Sequence, residues 1–506
     1  GPGFFLSLCS RSGIRWVTEK TGAPDFEGLA ANLVSDLSQL FRPHAKFDQQ
    51  RTAEPDEATA WLYTDAYFSE TSHGFLSVIP RQWFEGKLRL HFSKLRSNSF
   101  SDTTGWYAMR NTIYAAGSRL LLAKRNRPNA FREAVIQGNS YFQNALSVQS
   151  DLILVENSRV AVQALALMAT YTEAVSWLSL NYSLGTNAMR LAETKGLHRQ
   201  PPPLSRLPKE ELELRSQIWW IIYCCDRHCA ARFGRPVGTD DDCITVQLPV
   251  NSKHDRFYDY EILSWSVRNA QITSSIAKRL NQIEQKTPST DDIINCMNEL
   301  NELLGELQKK SPVHVSLDSS QLSTSNPLGV PTASILFLVS SYHISVIQVH
   351  SILVYPWNIA RLGLNTTQKI HLRSQMAESS RRCIESARVI IQKLSGVTIT
   401  PSTPKWCAFF FPLTALVNMF VHVLQHPDEE SVESDIALMR VVAGHFNYLE
   451  YIILELSFPM TRDLANLAQA AVYRARSGTG HTLDHITMSD TIINLQNIEN
   501  LEQLSV

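Results

Sequence analysis

The chain has 506 residues, 44 % apolar and 19 % charged, with a formal net charge of −1. That composition supports a large buried core and excludes global disorder. The near-zero charge balance gives no electrostatic footprint for nucleic acid or for an anionic membrane surface.

The chain opens on Gly1-Pro2 rather than an initiator Met. This reads as a protease scar, with the natural protein expected to extend upstream. The stretch that follows carries Phe4, Phe5, Leu8 and Trp16, expected to pack on the body of the protein. The polar segment 43–57, with Pro43 and Pro55, reads as a loop. Further on, Val160, Ala164, Leu167, Tyr171, Val175 and Leu178 step by three and four, as one face of a helix requires. Tyr182, Gly185, Met189 and Ala192 continue on a second helix. Gly196 suits its C-terminal cap, and the prolines at 201–203 forbid continuation. Pro208, then Glu210 and Glu211, starts a third helix through RSQIWWIIYCCDRHCAARF. Ser289 or Thr290 caps another, with Asp291 and Asp292 in its first turn. Its apolar face is expected at Ile294, Met297, Leu300 or Leu304, and Leu307. Helices follow over 333–355, 370–395, 406–425, 431–455 and 459–476, and loops over 199–208, 246–256 and 309–331. In the tail after Arg476, TIINLQNIENLEQL suits a short amphipathic helix. Strand alternation is scarce and no fixed-period repeat occurs. The fold class expected is all-α: a large multi-helix domain with long loops and no substantial sheet.

Segments 319–360 and Trp406–Pro427 lack Asp, Glu, Lys and Arg and approach transmembrane length. They carry His343, His350, Asn418, His422 and His426, which suits buried central helices better than lipid contact. No membrane partner is expected.

Eight cysteines, at 9, 224, 225, 229, 243, 296, 383 and 407, contain no C-x-x-C pair and fit a reducing compartment. Cys225 and Cys229 are one helical turn apart, with Asp226 and His228 between them, a partial metal set without two further ligands. The blander reading, small buried hydrophobes, is preferred. Asp291-Asp292-x-x-Asn295 loosely matches the Asp-rich helix ends of all-α diphosphate enzymes, but no partner helix supplies the second ligand set. His422 and His426 lack the Glu of a zinc-protease helix. No phosphate loop or nucleophile elbow is present, so no catalytic residue and no bound cofactor or metal is assigned.

On a helix, Arg215, Trp219 and Asp226 fall within about 40° of one another. An isolated buried charge costs several kcal/mol, so Arg215, Asp226 or Arg227, with Arg235, are expected to meet each other or nearby backbone carbonyls. Gly234 then ends the helix and Pro236 prevents its resumption. This set reads as a polar clasp fixing one helix to the loop after it. A neighbouring effector pocket is expected from Trp219, Tyr223, His228, Arg235, Tyr342, His343 and Trp406.

The ordered motifs carry a resemblance. A helix with Trp219 and the run Tyr223 to Arg227, then Gly234-Arg235-Pro236, the acids at 240–242, and Leu248-Pro249 resembles the regulatory middle homology region of fungal zinc-binuclear-cluster transcription factors. YTDAYFSETSHGFLSVIP (63–80), YFQNAL (141–146), VQALALMATYTEAVSWLSLNYSLGTNAMRLAETKGLHR (162–199), SYHISVIQVHSILVYPW (341–357) and CIESARVIIQKL (383–394) resemble its other parts. The doubled Trp219-Trp220, where many members carry one aromatic, is a departure. The resemblance covers about 60–460.

It implies a helical regulatory domain over 59–476; the segment 1–58 upstream of it is expected to pack on the body, and 477–506 to form a tail. It also implies a nuclear regulator, with cytoplasm–nucleus shuttling open, that answers to a small-molecule effector or to co-regulator proteins. A homodimer is left open. DNA would be reached only through the family's zinc-holding head of six cysteines, which this chain does not contain. Two alternatives stand beside this reading: a ligand-free helical scaffold for dimerisation, and a metal-dependent all-α enzyme acting on a lipid diphosphate.

Overall fold

The computed structural model describes residues 4–40, 51–71, 78–96, 103–124, 129–156, 158–175, 178–248, 260–284, 288–312, 317, 332–394, 403, 405–453 and 457–477. Every regular element among them is helical. In chain order they are α1 (Arg11–Thr21), α2 (Phe26–Leu40), α3 (Glu57–Glu70), α4 (Arg81–Arg96), α5 (Thr104–Ala123), α6 (Ala130–Leu146) and α7 (Gln149–Leu154). Then come α8 (Arg159–Val175), α9 (Leu178–Thr194), α10 (Lys209–Phe233), α11 (Tyr260–Glu284), α12 (Thr290–Lys309) and α13 (Thr332–Val354). The last are α14 (Pro356–Arg361), α15 (Thr366–His371), α16 (Arg373–Leu394), α17 (Lys405–Gln425), α18 (Val432–Ile453) and α19 (Pro459–Ser477).

Local chemistry sets many boundaries. The side chains of Ser10, Asp56, Thr103 and Ser289 each accept from a backbone N–H in the first turn of the helix they open. Ser289 and Asp292 form a reciprocal capping box, so Ser289 and not Thr290 is the cap. The apolar face of α12 is Ile293, Cys296, Met297, Leu300, Leu304 and Leu307, so the expected Ile294 yields to its neighbour. Ile294 is only partly buried, about 100° round the helix from Ile293.

Three apolar cores result. One fills the bundle of α3 to α10, another lies among α11, α12 and α13, and the third joins α16 to α19 with the N-terminal segment. In that third core Phe4 lies 5.8 Å from Phe410, Phe26 stacks on Phe420 at 6.3 Å, and Trp16 meets Trp357 edge-on at 5.8 Å. Trp357 Nε1 donates to Ser7 Oγ at 2.9 Å. Residues 4–40 thus share a core with the far end of the chain. Residues 51–56 attach instead to α5 and α6: Thr52 exchanges two hydrogen bonds with Asn144, and Glu54 meets Arg110.

Ser334–Val354 and Cys407–Gln425 are long and apolar enough to cross a membrane, but 83 % and 94 % of these windows are buried against the rest of the protein. Their polar groups bond inside the protein. His350 lies 3.0 Å from both Ser379 Oγ and Asn301 Oδ1, and Asn418 donates to the Thr414 carbonyl. Most of the loop expected at 309–331 and all but Ser477 of the tail 477–506, including its expected helix, lie outside the described residues.

Truncating a fully buried aromatic removes its transfer energy and leaves a cavity. Phe26→Ala is therefore expected to cost about 3–5 kcal/mol in a urea titration. Leu62→Ala, at a side chain 61 % exposed, should stay within about 0.5 kcal/mol.

Candidate functional site

α10 passes through the first bundle, and its apolar stripe of Ile218, Trp219 and Ile222 is buried there. Gly234 closes it in the left-handed conformation, φ 60°, with its N–H donated to the Ala230 carbonyl. After this turn the chain folds back along the helix, and polar side chains of α10 hold it.

The hold centres on Asp226 and Arg227, both buried. Asp226 Oδ2 accepts from Arg227 Nη1 at 2.6 Å and from the Gly238 N–H at 3.0 Å. Arg227 Nη2 donates to the Thr239 carbonyl and, at 2.8 Å, to Asp241 Oδ1. Tyr223 donates its hydroxyl to the same Asp241 oxygen at 2.7 Å, and the guanidinium lies 4.3 Å from the Tyr223 ring centroid. Burial, reinforced by Asp241, holds the Tyr223 phenol well above its ordinary pKa, so it stays a donor. Further along, Ser216 Oγ and Trp220 Nε1 donate to the Gln247 carbonyl at 2.6 and 3.1 Å. The Thr245 and Val246 N–H groups donate to the His198 carbonyl, which ties in the turn after α9.

Arg215 donates at 3.0 Å to the Lys195 carbonyl in that turn. It does not meet Asp226, because eleven residues of helix rise about 16 Å. Arg235 stays outside: it is exposed, over the Tyr182 ring at 5.7 Å. Pro236 is exposed too, just beyond the Gly234 turn.

The expected pocket residues divide among different surroundings. Trp219 and Tyr223 belong to the first core, Trp219 with its ring 5.6 Å from His198. His228 turns toward Phe337 of α13, ring to ring at 5.0 Å. Burial, aided by Arg232, pushes its pKa down to about 3, so it is neutral. Tyr342 donates to Gln308 Oε1 on α12 at 3.2 Å. His343 lies 3.0 Å from the Leu317 carbonyl and 3.2 Å from Ser386 Oγ on α16. Trp406 is in the first turn of α17, and its side chain lies outside the described residues.

The thiols of Cys224 and Cys229 are pushed up to about 12 by burial, and burial also raises that of Cys225 well above its ordinary value. They remain protonated, the form that binds metal poorly. Among the described residues no group of three or more His, Cys, Asp and Glu is placed to hold an ion. Asp292 is taken up by its capping box, and His422 and His426 both approach Glu429, at 3.1 and 3.5 Å. A head zinc cluster would need six closely spaced cysteines, whereas those here scatter from Cys9 to Cys407, so this chain's residues do not fit it.

Two ionic contacts made by buried arginines, Arg232 and Arg110, have no local sequence signal. Glu173 on α8 meets Arg232 at 2.9 Å. Glu54 receives Arg110 at 2.6 Å, His91 at 2.9 Å and the Tyr114 hydroxyl at 3.3 Å. Burial alone would raise the Glu54 pKa; His91 and Arg110 outweigh it and hold the carboxyl below its ordinary 4.5. A depressed folded-state pKa contributes stability above the unfolded value, lost as pH falls through the folded one.

Removing one member of a buried ion pair leaves the other uncompensated. Arg227→Met is expected to cost about 3–5 kcal/mol in chemical unfolding, and Arg235→Ala less than about 0.5. Glu54→Gln should be destabilising at neutral pH and should flatten the loss of melting temperature that the parent shows on acidification below 4.5.

Comparison with known proteins joins this geometry to a family. Residues 64–354 match the model of the fungal specific transcription factor domain. An ABC-transporter-regulating transcription factor of Aspergillus oryzae is 25 % identical over 88 % of this chain and 50 % of its own length. Its namesake in Aspergillus fumigatus is 25 % identical with the same coverage. An uncharacterized transcriptional regulatory protein of Schizosaccharomyces pombe is 23 % identical over 86 % of this chain and 56 % of its own. The chain thus spans about half the length of these relatives, which are transcription regulators and not enzymes. With its match running from α3 through the clasp to the end of α13, this all-α chain belongs to the fungal specific transcription factor domain family.

Proposed function

We propose that this domain is the effector-responsive control module of a sequence-specific fungal transcription factor acting in the nucleus. The observation that supports this reading is the clasp: a folded-back segment held to α10 by a small set of charged and polar contacts. Such a segment can occupy two positions whose free energies differ by a few kcal/mol. A ligand that favours one position by a few kcal/mol redistributes the population and changes what the module exposes. DNA contact would belong to a part other than this near-neutral chain. The names of the Aspergillus relatives make transporter genes the first targets to examine.

One observation favours a second reading, a scaffold for protein contacts: Leu154 and Val155, adjacent at the end of α7, are 81 % and 76 % exposed. Size measurement with and without co-regulator proteins tests it.

Direct sensing is tested by thermal shift of this chain across sugars, amino acids and pathway intermediates. A true effector gives a saturable rise, about 2.7 kcal/mol at a hundredfold excess over Kd. A panel with no saturable shift, alongside partner-dependent assembly, contradicts sensing and supports the scaffold.

A further inference from the structure

Four arginine side chains are buried among the described residues: Arg110, Arg119, Arg227 and Arg232. Three are ion-paired, Arg110 with Glu54 at 2.6 Å, Arg227 with Asp226 at 2.6 Å and Arg232 with Glu173 at 2.9 Å. Arg119 is different. No described carboxylate pairs with it, and its Nη1 has no hydrogen-bond acceptor among the described residues. Its side chain is 2 % exposed.

The packing makes room for this side chain. Arg119 is in the last turns of α5 and its stem crosses α6 at Gly138, where an added Cβ would come 2.2 Å from Arg119 Cγ. Only glycine permits that crossing. The guanidinium then lies over the ring of Tyr171 on α8, 5.6 Å from its centroid. The Tyr171 hydroxyl is buried beside it, and Phe142 packs on that ring at 4.4 Å. A buried guanidinium without a counter-charge costs several kcal/mol, and ring stacking returns only part of that. A bound oxyanion would supply both the charge and the acceptors, and arginine is the side chain suited to it.

We propose that Arg119, with Tyr171 beside it, binds one oxyanion group, a carboxylate or a phosphate, of a small metabolite held among α5, α6 and α8. This rests on the sensing reading above and gives the chemical class of the effector.

The test is calorimetric titration and thermal shift of the whole chain with inorganic phosphate and, separately, succinate, against sodium chloride at matched ionic strength. At least one oxyanion is expected to bind saturably where chloride does not; phosphate alone or succinate alone assigns the group. Arg119→Met should weaken that binding about tenfold or more. Without anion it should melt no lower than the parent, because an unpaired buried charge is gone. If Arg119→Met does not fold, Arg119→Lys replaces it, and weakened but measurable binding supports the site. Binding no stronger than chloride, or binding unchanged in both variants, overturns it. A metabolite shift that survives Arg119→Met overturns this site and leaves sensing standing. Phosphate binding through Arg119 with no active metabolite supports the site and removes sensing.

Discussion

A carboxylate buried on a helix that is otherwise apolar on that side has few places to go. Asp226 solves this with two partners at once: the neighbouring guanidinium and the N–H of Gly238. Because one partner is backbone from the returning chain, satisfying the charge fixes the loop. Arg227 repeats the device, taking the Thr239 carbonyl with one nitrogen and Asp226 with the other. The path of the chain after α10 is thereby dictated by two adjacent charges, and its far end is secured when Ser216 and Trp220 share the Gln247 carbonyl. Buried ion pairs are weak contributors to net stability but costly to break. Such a contact suits a part whose position matters more than its strength.

Elsewhere buried arginines are answered by carboxylates in the same way. Glu54, from an irregular segment, is satisfied by three groups on α4 and α5, and Glu173 by Arg232. Each ties two elements together. Arg119 is the member of this set that no acid answers, which sets it apart as a place where something outside the chain can act.

How much of this was legible depended on periodicity. For α8 to α10, α12, α13 and α16 to α19, apolar residues stepping by three and four, with Gly196, Gly234 and Pro208 as punctuation, located the helices to within a few residues, whereas α11, α14 and α15 drew no separate expectation. α5 had no such stripe because it is buried almost all round, from Gly105 to Leu120, and carries Arg110, Asn111 and Arg119 inward. A helix without an exposed face has no amphipathic contrast to read. The clasp was legible as residue types but not as pairs. Asp226 and Arg227 could be singled out on α10, yet their partners at 238–241 come from irregular backbone whose course follows no local rule. Arg215 shared the stripe of Asp226 on a helical wheel, which discards the rise along the axis. Glu54 was wholly silent, since its partners lie 37 to 60 residues away.

The central claim is that the two charges on α10 hold the returning segment in place. Hydrogen–deuterium exchange of the parent and of Arg227→Met examines it at the amides concerned. The account predicts slow exchange at Gly238, Thr245 and Val246 in the parent, and selective acceleration there in the variant with α13 and α16 unchanged. Exchange at those three amides that is fast in the parent, or no faster in the variant, would contradict it.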